Sequence, residues 1–495
     1  MTIQTRRLSA AEALVAVSMA LAPIVANAQT AVVGRNDPAV DVPAVQAAVD
    51  LGGSVQLVGT FDLGDAGRVT LVRDVEISGE AGTGTGVPLT TIRRGQWSFH
   101  TPYPSSLPLP PAEPGPKVAI HHLHFVESRG TAIHLAYSGG ALLHHNVIEG
   151  MRARVTSAGT QERAAIVVGP GVLGNVSKRD PQGRLVPNSN FVARLVSGDI
   201  QVSDNVIDTS GPEPTDVVRG TGMFVSMYVG ADVRIERNVV TGNTRTGLAI
   251  LDGKADDSGR GSVVIADNSI ASDVRVGFTA GAGPRAPIGI VTGFNNQRAL
   301  GADPDLAMIP ALIDRNHIEL RGVAPRDRVP TPSMGIVNIW NGAILTGNTI
   351  VVENESASTT DRLSTSGGIL AATSHQVLMH NRIIGTGCNA IRIGGTDEKQ
   401  FRFGNVAIGN NISGFSAFAG GIGKCADYWL EGLQGPPPTT HDNTIVGNSG
   451  SVIDDGVDDK ITGLRPVKGG VGGAVSAAAQ DAADVTHDLG FGFVE

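Results

Sequence analysis

The run Leu251-Asp252-Gly253-Lys254-Ala255-Asp256-Asp257-Ser258-Gly259-Arg260 sets three carboxylates beside a lysine and an arginine. Asp216, Arg219, Tyr228 and Asp232 lie one repeat earlier. These residue types suit two chemistries. In a β-elimination, Arg or Ca²⁺ offsets the carboxylate of a uronate ring while Lys or Arg removes the proton at C5. In a hydrolysis, two carboxylates flank the bond as acid and base or nucleophile. On this reading Asp252, Lys254, Asp256, Asp257, Tyr228 and Arg219 form the reacting group, with Lys254 as the lyase base or Asp252 as the hydrolase acid. Asp232 contacts substrate, and Ca²⁺ is the expected cation. The spacing is not that of an EF-hand, which needs ligands at alternate positions and a distal Glu. A solvated turn rich in Asp, Gly and Ser gives the same string without any chemistry.

Histidines make a second constellation. His121-His122 and His144-His145 repeat at an offset of 23 residues (144 − 121), with His124 and His134 nearby. If 23 residues make one short repeat, the two pairs stack, and the column has the donors for a transition metal or a general base near neutral pH. A polar column on an exposed bend is the plainer alternative. A third group, Trp97, Phe99, His100 and Tyr103, leads into a Pro-rich segment at 102–116. In a chain with only 4% aromatic residues, Trp97 and Trp340 are the candidate platforms for stacking on sugar rings; anchoring a loop is the competing role.

The elements that must position these groups announce themselves by repetition. Asparagine followed by an apolar pair recurs as Asn146-Val147-Ile148, Asn205-Val206-Ile207, Asn238-Val239-Val240 and Asn268-Ser269-Ile270. It continues as Asn316-His317-Ile318, Asn348-Thr349-Ile350, Asn381-Arg382-Ile383, Asn411-Ile412 and Asn443-Thr444-Ile445. Most intervals are 30–33 residues; two are longer, with insertions around 178–190 and 281–310. Leu123 fills the same slot ahead of Asn146. A preceding strand recurs too, as in Gly222-Met223-Phe224-Val225, Gly247-Leu248-Ala249-Ile250 and Gly335-Ile336-Val337-Asn338. A fixed period of short strands and turns means a solenoid. Asn tolerates the left-handed conformation of a tight bend, and stacked amides about 4.8 Å apart hydrogen-bond along the stack. Catalytic groups must then come from two to four neighbouring coils.

Before the repeats, residues 41–50 read as a short amphipathic helix with Asp41 as N-cap and Gly52 as stop, and 53–63 alternates like a strand with a glycine turn. Helix, strand and Asn-x-Ile repeat together resemble the right-handed parallel β-helix of the pectate-lyase-like superfamily over about residues 40 to 450. The resemblance implies an all-β, right-handed parallel β-helix with an N-terminal α-helical cap. It leaves function open, because the fold hosts lyases, hydrolases, epimerases and non-enzymes. The polygalacturonase, mannuronan epimerase and pectin methylesterase motifs are all missing. The expected function is cleavage of a polysaccharide, by a lyase first and a glycoside hydrolase second. A non-catalytic surface or matrix scaffold is the third reading.

The ends and the composition complete the expectation. Residues 1–28 have the Arg6-Arg7, apolar run and Ala26-Asn27-Ala28 of a signal peptide, which implies a periplasmic or secreted protein. Residues 29–450 form the β-helix, and 451–495 form a tail or final cap without strand patterning. Cys388 and Cys425, about one coil apart, have the spacing of a staple between coils, with two unpaired thiols as the alternative. No run of eighteen apolar residues follows the signal, so no membrane span is expected. A net charge of −9 argues against a nucleic-acid partner, which selects a basic face.

Overall fold

In the computed structural model, each coil contributes one strand to each of three sheets in turn. One coil runs Gly140–His144, Val147–Glu149 and Gln161–Val168, and the next begins at Ile200–Ser203. We call these positions sheet 1, sheet 2 and sheet 3. The structure describes residues 29–467, apart from 83–85, 103–113, 156–160, 170–176, 180–184, 188–195, 212–217, 243–245, 257, 274–286, 294–308, 323–333, 355–366, 387–388, 395–401, 416–424, 433–439 and 448–449. The expected signal peptide and the end of the tail therefore lie outside the described residues. Successive coils pair in parallel register, for example Ala141↔Ile200 in sheet 1, Val206↔Val239 in sheet 2 and Phe224↔Ala249 in sheet 3. Parallel crossovers of this kind are right-handed. The result is the right-handed parallel β-helix that the repeat predicts.

The core is a set of stacked side-chain columns. Ile148, Ile207, Val240, Ile270, Ile318, Ile350 and Ile383 line the inner face of sheet 2, all fully buried. Opposite them, Gly222, Gly247, Gly289, Gly335 and Gly368 form a glycine column in sheet 3. A Cβ at Gly335 would lie 2.3 Å from Ile350 and 2.6 Å from the Gly368 carbonyl oxygen. The glycines let sheet 2 close onto sheet 3, which explains why the sheet 3 strands open on glycine.

The ladder asparagines point inward, as the repeat predicts, and are buried. Asn238 Nδ2 donates to Asn268 Oδ1 at 3.0 Å, and the same link joins Asn146 to Asn205, Asn205 to Asn238, Asn268 to Asn316, Asn316 to Asn348 and Asn348 to Asn381. Three details differ from the sequence reading. The left-handed residue is the one before the ladder slot: His122 before Leu123, and His145, Asp204, Arg237, Asp267, Arg315 and His380 before asparagines, have φ between 50° and 57°, and Gly347 before Asn348 has φ 63°. The ladder ends on Asn410, which accepts from Asn381 at 3.0 Å, while Asn411 is exposed. Asn443 belongs to a second column, before the sheet 1 strands, that runs through Gln376, Asn405 and Asn443 to Asp459 and takes a further bond from Asn338 of the sheet 3 strand Met334–Ile339.

One helix, Pro38–Val49, is present among the described residues, and it packs Val45, Ala48 and Val49 into the core. Its N-cap is Asp37, whose side chain accepts from Ala39 N, and not Asp41. Asp41 is buried and accepts from the backbone N–H of Arg35, Asp37 and Asp62. That ties the helix to the strand Thr60–Asp62. At the other end, strands Ser451–Asp454, Lys460–Thr462 and Arg465–Pro466 carry the stack past residue 450. Alternation over only two to four residues gives them no pattern in the sequence. Cys425 is disulfide-bonded, and the sequence offers one other cysteine, Cys388, which lies outside the described residues.

Candidate functional site

The expected acidic loop is mostly strand. Thr246–Lys254 belongs to sheet 3 and pairs with Val218–Val229, placing Tyr228 beside Gly253. Asp252 has φ 58° and is 1% exposed, so its carboxylate does not face a groove as the sequence reading had it. Tyr228 is fully buried, and a Cβ at Gly253 would lie 2.2 Å from its ring. Burial first, and the Asp252 charge second, push the Tyr228 hydroxyl well above its ordinary range. Asp256 closes a turn: its Oδ1 accepts from Ser258 Oγ at 2.6 Å, Ser258 N at 2.9 Å and Arg260 N at 2.9 Å. These bonds, led by the Ser258 hydroxyl, hold its carboxyl below the usual range. Asp232 accepts from Ser262 Oγ at 2.7 Å. Arg219 lies nine residues before Tyr228 on one strand, roughly 30 Å of extended chain, so it does not join the group. The side chains of Arg219 and Lys254, and all of Asp257, lie outside the described residues.

Neither tryptophan is an open platform. Trp340 is fully buried in the main core. Trp97 is 3% exposed, with the Arg154 guanidinium 4.3 Å from its ring centroid and Arg68 at 5.5 Å.

The histidine pairs do stack. In sheet 1, His144 pairs in register with His121. Their rings lie 4.6 Å apart at 5°, and those of His122 and His145 lie 5.0 Å apart at 14°. Within each coil the Nδ1 atoms approach, at 2.8 Å for His121 and His122 and 3.0 Å for His144 and His145. Glu76 Oε1 lies 3.2 Å from His121 Nε2. Desolvation, then the neighbouring histidines, lower the pKa of His122, and that of His144 falls to about 4 for the same reasons.

A further group brings together residues that the sequence reading named apart, His100 with Trp97 and His134 beside the histidine pairs. Phe99-His100-Thr101 and Ile133-His134-Leu135 pair in register in sheet 3, with both histidines on its outer face. The Trp97 ring centroid lies 5.2 Å from that of His134 and 6.3 Å from that of His100. His100 Nε2 shares a 3.0 Å hydrogen bond with Thr70 Oγ1. Desolvation first and Arg68 second lower His100 to about 4, and desolvation, His100 and Arg154 lower His134 to about 3. Two neutral imidazoles thus sit among two guanidiniums and an indole. Both histidines lie between an aromatic or β-branched residue and another apolar or threonine side chain in strands of one sheet. That shared pattern was the available signal.

No protein-family profile matches the sequence, and no curated protein matches it. Among solved structures, the chain is similar to the A-module of a mannuronan C-5 epimerase from Azotobacter vinelandii, at 14% identity over 87% of this chain and 92% of that one, with a TM-score of 0.32. It is similar to a hyperthermoactive exopolygalacturonase from Thermotoga maritima, at 12% identity over 88% and 91%, with a TM-score of 0.35. A mannuronic acid specific polysaccharide family 6 lyase from human gut microbiota matches at 10% identity over 93% and 94%, with a TM-score of 0.30. Likeness of this degree carries no argument about chemistry here, and the fold rests on the register of the three sheets.

Proposed function

We propose that the chain is an exported enzyme that cleaves a uronate-containing polysaccharide by β-elimination, reacting at the His100–His134 rungs of sheet 3. The observation that carries this reading is the pair of neutral imidazoles held among Arg68, Arg154 and Trp97. Abstraction of the C5 proton builds charge onto the uronate carboxylate, and guanidiniums offset that charge better as it grows. Burial makes the imidazoles weak bases, but a bound carboxylate restores basicity by favouring the charged imidazolium. The C5 proton passes to one imidazole, the C4–C5 double bond forms, the C4–O bond breaks, and the departing oxygen takes a proton from water. His100 and His134 are themselves only 6% and 5% exposed, so on this reading substrate is admitted from the side of Arg68, which is exposed, and Arg154, which is half-buried.

Asp252 is buried and Asp256 Oδ1 accepts three hydrogen bonds within its turn, so this reading does not call on Ca²⁺. No step is routed through that ion. The helix Pro38–Val49 closes the first coils as a cap, and residues 1–28 direct export to the periplasm or beyond. No helix among the described residues is long and apolar enough to cross a membrane.

The test is a panel of uronate-containing and neutral glycans, with absorbance near 235 nm reporting the unsaturated product. His134→Gln and Arg154→Lys should each lower kcat at least about 100-fold, with unchanged circular dichroism; Lys254→Ala should stay within about twofold. Reducing ends without absorbance would mean a hydrolase, and no product from any glycan would mean a scaffold. Loss of activity in Lys254→Ala alone would return the chemistry to the acidic run.

A further inference from the structure

The four histidines at the corner between sheets 1 and 2 play no part in that reaction, and the corner is separate from the outer face of sheet 3. We infer that His121, His122, His144 and His145 bind one divalent transition-metal ion of the zinc and copper class, fastening two neighbouring coils together.

Geometry comes first. Ligand atoms of His121, His122 and His144 all lie within 4.8 Å of one another, and His145 Nδ1 stands 3.0 Å from His144 Nδ1. Two nitrogens bound at about 2.0 Å are about 2.8 Å apart at a right angle and about 3.3 Å apart at a tetrahedral one. The contacts within each coil, 2.8 and 3.0 Å, already match the edge of a tetragonal site. The separation between coils is set by the strand spacing, and it closes if each imidazole tilts inward by less than about 1 Å. Without metal, the same close pairs are held by one N–H donating to the facing nitrogen.

Glu76 supplies a second, independent observation. A metal-bound histidine characteristically gives its other ring N–H to a carboxylate, which fixes the tautomer and the ring plane. Glu76 Oε1 stands 3.2 Å from His121 Nε2. With the proton placed there, the Nδ1 lone pair is directed toward His122. The glutamate comes from the preceding coil, through the register Ser78↔His121, so the ion's outer partners extend the staple to a third coil.

The choice of residues at the bend adds to this. His122 and His145 occupy the left-handed position, with φ 55° and 54°, where the following coils carry Asp204, Arg237, Asp267 and Arg315. Those four form carboxylate–guanidinium pairs between adjacent coils, Asp204 with Arg237 and Asp267 with Arg315. Two histidines stacked on each other, His122 on His145, make no such carboxylate–guanidinium pair. A metal ion would supply the missing attraction. Donor chemistry then selects the ion, because imidazole nitrogens suit zinc and copper, whereas Ca²⁺ and Mg²⁺ need oxygen. His145 is exposed and the other three are half-buried, so the site is open to ions from solution.

The experiment uses the tag-free full chain, stripped with a chelator and titrated separately with Zn²⁺, Cu²⁺ and Ca²⁺ by calorimetry at pH 7.5. We expect one Zn²⁺ or Cu²⁺ per chain with a Kd below about 1 μM, no Ca²⁺ binding, and a Tm raised by about 3 °C or more. The double variant His144→Gln with His145→Asn keeps a residue tolerant of the left-handed bend and should bind at least about 100-fold more weakly. His124→Gln, on the adjacent strand, should bind as wild type. Electron paramagnetic resonance of the Cu²⁺ form reads nitrogen coordination directly, and so decides the matter even if the double variant misfolds. Coordination by at least three imidazole nitrogens supports the site. Stoichiometry near zero, a spectrum without imidazole nitrogens, or a folded double variant that binds like wild type overturns it.

Discussion

Asn238→Leu tests what the ladder contributes. Asn238 Oδ1 accepts from Asn205 N at 3.1 Å and from Asn205 Nδ2 at 3.0 Å. Its Nδ2 donates to Asn268 Oδ1, Val202 O and Glu236 O at 3.0, 2.9 and 3.1 Å. Leucine removes all five bonds, but not every partner is stranded. Asn205 Nδ2 keeps Leu143 O and Ser203 O, and Asn268 Oδ1 keeps Asn238 N. The Asn205 backbone N–H and one acceptor on Val202 are left in the core. At about 1–3 kcal/mol for each stranded group, less the gain from a buried isobutyl side chain, the expected loss is about 1–3 kcal/mol. Steric misfit is not the cause, because Leu123 fills the equivalent slot one coil before Asn146 and is fully buried. Urea denaturation followed by circular dichroism reads the global loss. Exchange of the Asn205 amide reads the local one, which matters in a solenoid whose repeats need not unfold together. A midpoint within about 0.2 M urea of wild type, together with unchanged Asn205 exchange, would refute the hydrogen-bond account.

Gly335→Ala should destabilise by about 2 kcal/mol or more in a thermal melt, since its Cβ would lie 2.3 Å from Ile350 Cγ2 and 2.6 Å from the Gly368 carbonyl oxygen; Ile350→Val, which keeps Cγ2, should not rescue it. Tyr228→Phe should leave stability within about 1 kcal/mol and activity within about twofold, because the buried hydroxyl has no hydrogen-bond partner among the described residues; a large loss of kcat would restore Tyr228 to the reacting group. His100 and His134 have folded-state pKa values depressed to about 4 and about 3, so the unfolded chain binds protons first as pH falls. Their contribution is complete above about pH 6.5 and lost downward toward pH 4 and 3, at up to about 1.4 kcal/mol per pH unit for each. Thermal melts of His134→Gln should show a shallower fall between pH 6.5 and 4.5 than wild type.

The β-helix was readable because its rule is periodic: Asn146, Asn205, Asn238 and Asn268 recur before an apolar pair, and the same hydrogen bond is reused at each step. Where two asparagines adjoin, as at Asn410 and Asn411, period alone does not say which one enters the ladder. The second column escaped notice because Gln376, Asn405, Asn443 and Asp459 share a function but not a residue type. The left-handed bend hid for the same reason, being filled by His, Asp, Arg and Gly in turn. Burial decided the candidate site, and the sequence does not print burial. Asp252 looks like a loop carboxylate until the strand Thr246–Lys254 is seen to run past it. His121 and His144 stood out because adjacent pairs repeat at one offset. His100 and His134 each sit alone in an apolar strand, and only register puts them side by side.

The second amide column has a direction. Asn405 and Asn443 each pass two hydrogens toward the C-terminus, from backbone nitrogen and from Nδ2, to the next acceptor. A polymer of identical links has no natural length, and any exposed last link invites another molecule to continue it. Asp459, before the last sheet 1 strand among the described residues, takes both hydrogens from Asn443 at 2.7 and 2.9 Å, and an ionised carboxylate has none to hand on. It acts as a chain terminator does in polymerisation, one atom's difference from asparagine that leaves the growing end unreactive. Burial, the largest influence, pushes Asp459 up to about 6. Below that pH the carboxyl carries a hydrogen of its own, and the column no longer ends on a pure acceptor.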